Sequence, residues 1–146
     1  MNRTEPVELT NMCMVYRGDE LLVQNRFHKD WHGVIFPGGH VEPGEMFSES
    51  VIREIKEETG LTIFEPKLCG IKQFKGSHGR YVVFLYKTDK FEGDIKSSDE
   101  GEVYWVKRSE LHKQELVSHF YEMLEVFDNE NISEIFYVNG NDVILK

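Results

Sequence analysis

One stretch narrows the fold more than any other: residues 46–59 hold neither proline nor glycine, and they lie between a Pro37-Gly38-Gly39 bend and Gly60. Phe47, Val51 and Ile55 recur there at every fourth position. That spacing predicts an amphipathic helix with one apolar side, stopped at Gly60. Ahead of the bend, Val34-Ile35-Phe36 predicts a short strand. The bend itself must be a loop, because proline lacks an amide donor and adjacent glycines weaken regular structure. Glu54, Glu57 and Glu58 fall at i, i+3 and i+4 of the helix, within roughly 100° of its circumference. Like charges so placed destabilise a helix, so a compensating cation is expected. Hard divalent cations take oxygen ligands, and Mg²⁺ keeps waters and substrate phosphates in its remaining positions. The pattern points to a Mg²⁺ site for a phosphorylated substrate, against the alternative of a solvated acidic face paired with Arg53 and Lys56.

The remaining chain is rich in β signals. Residues 10–16 alternate and meet Leu21-Leu22-Val23 across Arg17-Gly18-Asp19-Glu20, which predicts an opening hairpin. Residues 67–74, 81–86 and 102–106 predict three further strands. Ser109 can cap a helical turn, and Leu116, Phe120, Leu124 and Phe127 predict a second helix reaching about Asn129. Asn139-Gly140 between two β-rich runs predicts a terminal hairpin, which either closes the sheet or pairs across a homodimer. No repeat or linker divides the chain, so an α+β fold with a mixed sheet in a single domain over residues 1–146 is expected.

Charge restricts the partners. With 17 Lys+Arg against 26 Asp+Glu, the net charge of −9 disfavours a grip on long nucleic acid, which needs clustered cations. A small nucleotide assisted by metal remains open. Residues 1–10 lack a hydrophobic leader and no apolar run is long enough for a bilayer, so no membrane partner is expected. Cys13 and Cys69 have no metal-type spacing, which fits a reduced, cytoplasmic chain. His28 and His32 are four apart but sit in a predicted loop without a third ligand nearby, so zinc is not expected.

Gly39, Glu45, Arg53-Glu54-Ile55, Glu57-Glu58 and Gly60-Leu61 together fill every fixed position of the Nudix box: Gly, any five, Glu, any seven, Arg-Glu-apolar, any one, Glu-Glu, any one, Gly-apolar. The chain therefore resembles the Nudix hydrolases. That resemblance implies an α/β/α sandwich with a mixed sheet between helices. It also implies Mg²⁺-dependent hydrolysis, with Mn²⁺ able to substitute, of a nucleoside diphosphate linked to another group. On it, Glu57 and Glu58 are metal ligands, Glu54 is a ligand and the leading general base, and the Gly38 carbonyl completes the set. Arg53 and Glu45, with Gly39, hold loop and helix in place. A further acidic ligand is expected from the loop before a late strand, with Glu100 first and Glu102 second.

Within the family, the segments Leu22-Val23-Gln24-Asn25-Arg26, Trp31-His32-Gly33 and Phe36-Pro37-Gly38-Gly39-His40-Val41-Glu42 look most like the MutT branch. That branch hydrolyses nucleoside triphosphates, including 8-oxo-dGTP, to monophosphate and pyrophosphate. Arg26 then aligns with a phosphate-contacting arginine. Asn11, Trp31, His32, Phe74 and Tyr81 are the candidate lining of a base pocket, since purines are held by aromatic stacking and by donor-acceptor side chains. The chain lacks the downstream proline usual in ADP-ribose hydrolases, having none after Pro66. It also lacks the early tyrosine of dinucleoside polyphosphate hydrolases and the proline-aromatic array of NADH hydrolases. Removal of pyrophosphate from RNA 5′ ends, action on another nucleoside diphosphate derivative, and a non-catalytic nucleotide-binding regulator are the competing readings. The intact glutamates argue against the last.

Overall fold

The computed structural model describes residues 2–27 and 32–146. Two strands, β1 (Val7–Arg17) and β2 (Glu20–Arg26), form the expected opening hairpin, but they pair only near the turn, at Tyr16 with Leu21 and Arg17 with Glu20. Beyond that point they part. The edge of β2 that β1 leaves is taken by β3 (Gly33–Ile35), and its other edge pairs along its whole length with β8 (Gly101–Lys107). On the β1 side, the bend fills the vacated edge: the Cys13 amide donates to the Pro37 carbonyl at 2.9 Å and the Asn11 amide to the Gly39 carbonyl at 2.8 Å. The diverging strands thus carry the bend of Pro37-Gly38-Gly39 against the sheet.

The other edge of β1 pairs in parallel with β6 (Gly79–Thr88), which pairs antiparallel with β5 (Lys67–Gly76). Next comes β9 (Glu134–Tyr137), parallel to β5, and then β10 (Val143–Leu145). The terminal hairpin thus extends one edge of the sheet, with β10 outermost. Two short strands, β4 (Thr62–Ile63) and β7 (Phe91–Glu92), form a separate small ladder that the sequence pattern did not announce.

Alternation along β1 separates two cores. Cys13 and Val15 pack with Leu22, Phe84 and Tyr86 against Val51 and Ile55 of α1 (Phe47–Thr59). Met12 and Met14 pack with Val83 and Leu85 against Phe120, Met123 and Phe127 of α2 (Phe120–Asp128). Helices therefore cover opposite faces of a mixed sheet, as in an α/β/α sandwich. Val51 and Ile55 are fully buried, and each such burial is worth about 1.5–3 kcal/mol. The helix ends at Gly60, whose φ of 82° gives the left-handed stop expected of it.

The second helix is shorter than its apolar spacing suggests. Leu116 lies in a parallel bridge with Val34 and not in α2, the Val34 amide donates to the Glu115 carbonyl, and the Val117 amide donates to the Val34 carbonyl. The free edge of β3 captures this segment as a strand-like partner. His119, at φ 61°, then turns the chain into the helix. Residues 108–113 form a 3-10 turn capped at Lys107, with Ser109 inside it and not at its cap. Among the described residues, no helix is long and apolar enough to cross a membrane.

Candidate functional site

The guanidinium of Arg53 ties α1 to the loop that follows the bend. Arg53 donates from Nε to Glu45 at 2.8 Å and from Nη2 to its other oxygen at 3.0 Å. Nη2 also donates to the His40 carbonyl at 3.0 Å, and Nη1 donates to Glu54 at 3.0 Å and Glu57 at 3.2 Å. Glu45 in turn accepts the Glu42 amide. Those bonds hold the Glu45 carboxyl down at about 2, chiefly through Arg53, and push the Arg53 guanidinium above its ordinary value. Arg53 and Glu45 thus brace the loop against the helix.

Close approach explains the glycine pair. A Cβ on Gly38 would collide with the Asn11 carbonyl on β1, and one on Gly39 would collide with the Glu54 carboxylate. Asn11 secures the same passage: it is buried, its amide nitrogen donates to Ser50 Oγ at 2.9 Å, and its oxygen accepts the Gly39 amide at 3.1 Å. Asn11 thus ties the loop to the helix, and it also lines the cavity that holds Glu54 and Glu58.

Glu54, Glu58 and Glu100 line one cavity of about 510 Å³, together with Gly38, Gly39, Arg26, Lys72, Phe74 and Tyr81. Glu57 projects from the same helix but is exposed and held by Arg53. Glu58 is 8% exposed and accepts from the Gln24 amide at 3.1 Å and the Gly38 amide at 3.4 Å. Burial pushes its carboxyl up to about 7, opposed by the Gln24 bond and raised further by the charge of Glu54. Burial likewise raises Glu54, against the pull of Arg53. Glu100 sits in the turn before β8, where its amide donates to Ser98 Oγ, whereas Glu102 is exposed on β8 opposite Asn25.

Two carboxylates with raised affinity for protons, Glu58 buried and Glu54 half-buried, are a site short of positive charge. Among the described residues, no group of three His, Cys, Asp or Glu converges as a finished metal cage. The all-oxygen donor set still fits a hard ion such as Mg²⁺, which is held by one or two carboxylates and completed by water and phosphate oxygens.

The aromatic candidates divide. Phe74 and Tyr81 stack on one another, with centroids 4.8 Å apart and planes at 19°. Phe74 borders both this cavity and a second one of about 510 Å³, and His32 lines the second only. Trp31 and His28 lie outside the described residues. Arg26 borders both cavities. Sequence reasoning missed Lys72 and Tyr137. The one available signal was Lys72 two residues before Phe74, on the same face of β5. Tyr137 had none.

The family model described as NUDIX domain matches residues 8–127. An uncharacterized Nudix hydrolase, YvcI of Bacillus subtilis (strain 168), is 33% identical over 99 residues, covering 64% of this chain and 61% of that protein. The ADP-ribose pyrophosphatase of Methanocaldococcus jannaschii is 31% identical over 90 residues, covering 60% of this chain and 53% of that protein. The chain thus spans less than two thirds of the length of these curated relatives. The crystal structure of a mutator MutT protein from Bacillus halodurans superposes with a TM-score of 0.76 at 25% identity, covering 94% of each chain.

Proposed function

The chain belongs to the NUDIX domain family, a hydrolase family acting on phosphorus anhydrides, and from that premise we propose that its acidic cavity is the active site of a Mg²⁺-dependent nucleoside triphosphate diphosphatase. An oxidised purine nucleotide such as 8-oxo-dGTP is the first substrate to test. The observation that carries this reading is the cavity itself. It sets the carboxylates of Glu54, Glu58 and Glu100 in one space with the cations of Arg26 and Lys72, so a polyphosphate can be held between metal and guanidinium.

Glu54, Glu58 and Glu100, with Glu57 at the rim and the Gly38 carbonyl, would hold the divalent ion. When bound, that ion neutralises charge on the phosphate oxygens and acidifies the attacking water. In the reaction, a water oxygen bonds to a phosphorus of the α–β anhydride, the bridging P–O bond breaks, and pyrophosphate leaves the nucleoside monophosphate. The proton released by water passes to a carboxylate, a role assigned to Glu54, which burial makes a better base than an exposed glutamate. Arg26 takes a phosphate oxygen, and Phe74 and Tyr81 offer an aromatic wall to the base. The whole acts as a single domain in the cytoplasm on a small nucleotide.

The M. jannaschii relative supports a second reading, ADP-ribose as substrate. Initial rates with Mg²⁺ on 8-oxo-dGTP, dGTP and ADP-ribose, with products separated by ion exchange, decide between them. Monophosphate plus pyrophosphate from 8-oxo-dGTP at a kcat/KM well above that for ADP-ribose is the expected result. Preference for ADP-ribose overturns the triphosphate assignment, and equal turnover by wild type and Glu57→Gln overturns the metal assignment.

A further inference from the structure

The sheet ends on β10, which pairs with β9 on one side and, among the described residues, meets no strand on the other. The open edge of β3, by contrast, is occupied by residues 115–117 through main-chain bonds. Hydrogen bonds fix which way β10 faces. The Lys146 amide donates to the Glu134 carbonyl and the Glu134 amide to the Lys146 carbonyl, each at 3.0 Å, and the Val138 amide donates to the Asp142 carbonyl at 3.0 Å. Bonded and non-bonded pairs alternate in an antiparallel ladder, so Asp142, Ile144 and Lys146 turn their main-chain groups to β9. Val143 and Leu145 turn theirs outward, to the open edge.

Side chains alternate as well. Val143 and Leu145 pack on the core beside α2, while Ile144 stands on the opposite face, directly across from Phe136. Ile144 is 44% exposed and Phe136 38%. The edge carries none of the guards that keep open strands apart: Val143-Ile144-Leu145 has no proline, no bulge and no charge. Charges stand only at its two ends, Asp142 before it and Lys146 after it. Neither is in an ion pair among the described residues.

These positions complement themselves. Turned about a two-fold axis through Ile144, a second copy of β10 runs antiparallel to the first. Val143 then meets the second copy's Leu145 through outward main-chain groups, Ile144 meets its own counterpart, and Asp142 meets the second copy's Lys146 at both ends. Phe136 and Ile144 of both copies fall in one apolar row across the two hairpins, and each carboxylate faces an ammonium. The neighbouring registers that keep outward groups facing one another set Asp142 or Lys146 against Ile144 instead. Chains of net charge −9 repel at a distance, so contact between copies needs a locally matched surface, and this edge is one.

We propose that β10 is a self-association edge: two copies of the chain join β10 to β10, antiparallel about Ile144, into one continuous sheet. The symmetry of its charges selects a second copy over an unrelated strand. The pairing is independent of the substrate and of the metal. An edge strand of 3 residues buries little surface, so the dimer belongs to the weak, reversible class.

Sedimentation equilibrium of the full chain, from about 10 µM to about 1 mM to bracket weak association, should reveal a concentration-dependent dimer. Asp142→Lys and Lys146→Asp should each weaken it about tenfold, because like charges then face one another at both ends. Mixed in equal amounts, these two variants should associate with each other about as well as the wild type does with itself, since every facing pair again has opposite signs. Ile144→Lys, at an exposed position, should abolish the dimer, and thermal melts check that each variant stays folded. Amide exchange followed by NMR needs no variant. The Val143 and Leu145 amides should be protected only at concentrations where the dimer forms, whereas the Lys146 amide, already bonded to Glu134, is protected throughout. A wild type that stays monomeric at about 1 mM overturns the proposal and leaves the edge to some other strand. A dimer that withstands Ile144→Lys lies on another surface and overturns it too. Loss of the dimer in both charge variants without recovery in their mixture overturns the antiparallel pairing about Ile144.

Discussion

Arg53 and Glu45 are joined by two parallel N–H···O bonds of 2.8 and 3.0 Å, one residue on α1 and the other on the loop that leads into it. The fork fixes how the bend meets the helix, and only a planar guanidinium can make it while also reaching His40, Glu54 and Glu57. Arg53→Lys keeps the charge and loses the fork. Activity should fall about 10- to 100-fold with the far-UV spectrum unchanged, as measured by steady-state kinetics beside circular dichroism.

The same pair sets an acid limit. Glu45 titrates at about 2 in the folded chain against an ordinary 4.5, so its contribution to stability is present above 4.5 and is lost as pH falls toward 2. Urea denaturation at a series of pH values should show a slope over this window that Glu45→Gln removes. An unchanged slope in the variant would show that the acid sensitivity arises elsewhere.

Glu58 has the opposite sign. Its carboxyl is raised from 4.5 to about 7, so the metal-free chain loses stability as pH rises through that interval and the buried group ionises. In EDTA at pH 8, Glu58→Gln should melt above the wild type. Added Mg²⁺ should raise the melting temperature of the wild type more than that of the variant.

Gly39→Ala places a methyl group against the Glu54 carboxylate. Glu54 must move, and misplacement of a reacting carboxylate by even a fraction of an ångström is costly, so kcat should drop at least about tenfold. A thermal melt run alongside separates this from unfolding.

Phe36 anchors the bend from below. It is fully buried, with ring centroids 5.1 Å from Phe120 and 5.3 Å from Phe127, and it immediately precedes Pro37. Phe36→Ala should cost about 3–5 kcal/mol by denaturant unfolding. Phe36→Leu should cost much less and still lower kcat, because the loop that carries Gly38 and Gly39 rides on this side chain.

What the amino-acid sequence determined by itself was local. The helix over α1, its stop at Gly60, the bend before it and the convergence of Glu54 and Glu58 all depend on side-chain periodicity and on residues within a few turns of one another. Those relations survive without knowledge of any other part of the chain. Tertiary structure decided the rest. Leu116 matches a helical period, yet the open edge of β3 offers backbone partners that outweigh that propensity. The sequence marks Asn11 only as a candidate base contact, and it is the parting of β1 from β2 that brings the bend onto β1, where the Asn11 side chain also ties Gly39 to Ser50. Lys72 and Tyr137 meet only because β9 pairs in parallel with β5, setting Ile135 against Lys72 and Phe136 against Gln73. Parallel pairing between distant segments follows from which buried faces fit together, and that is a property of the whole packed molecule.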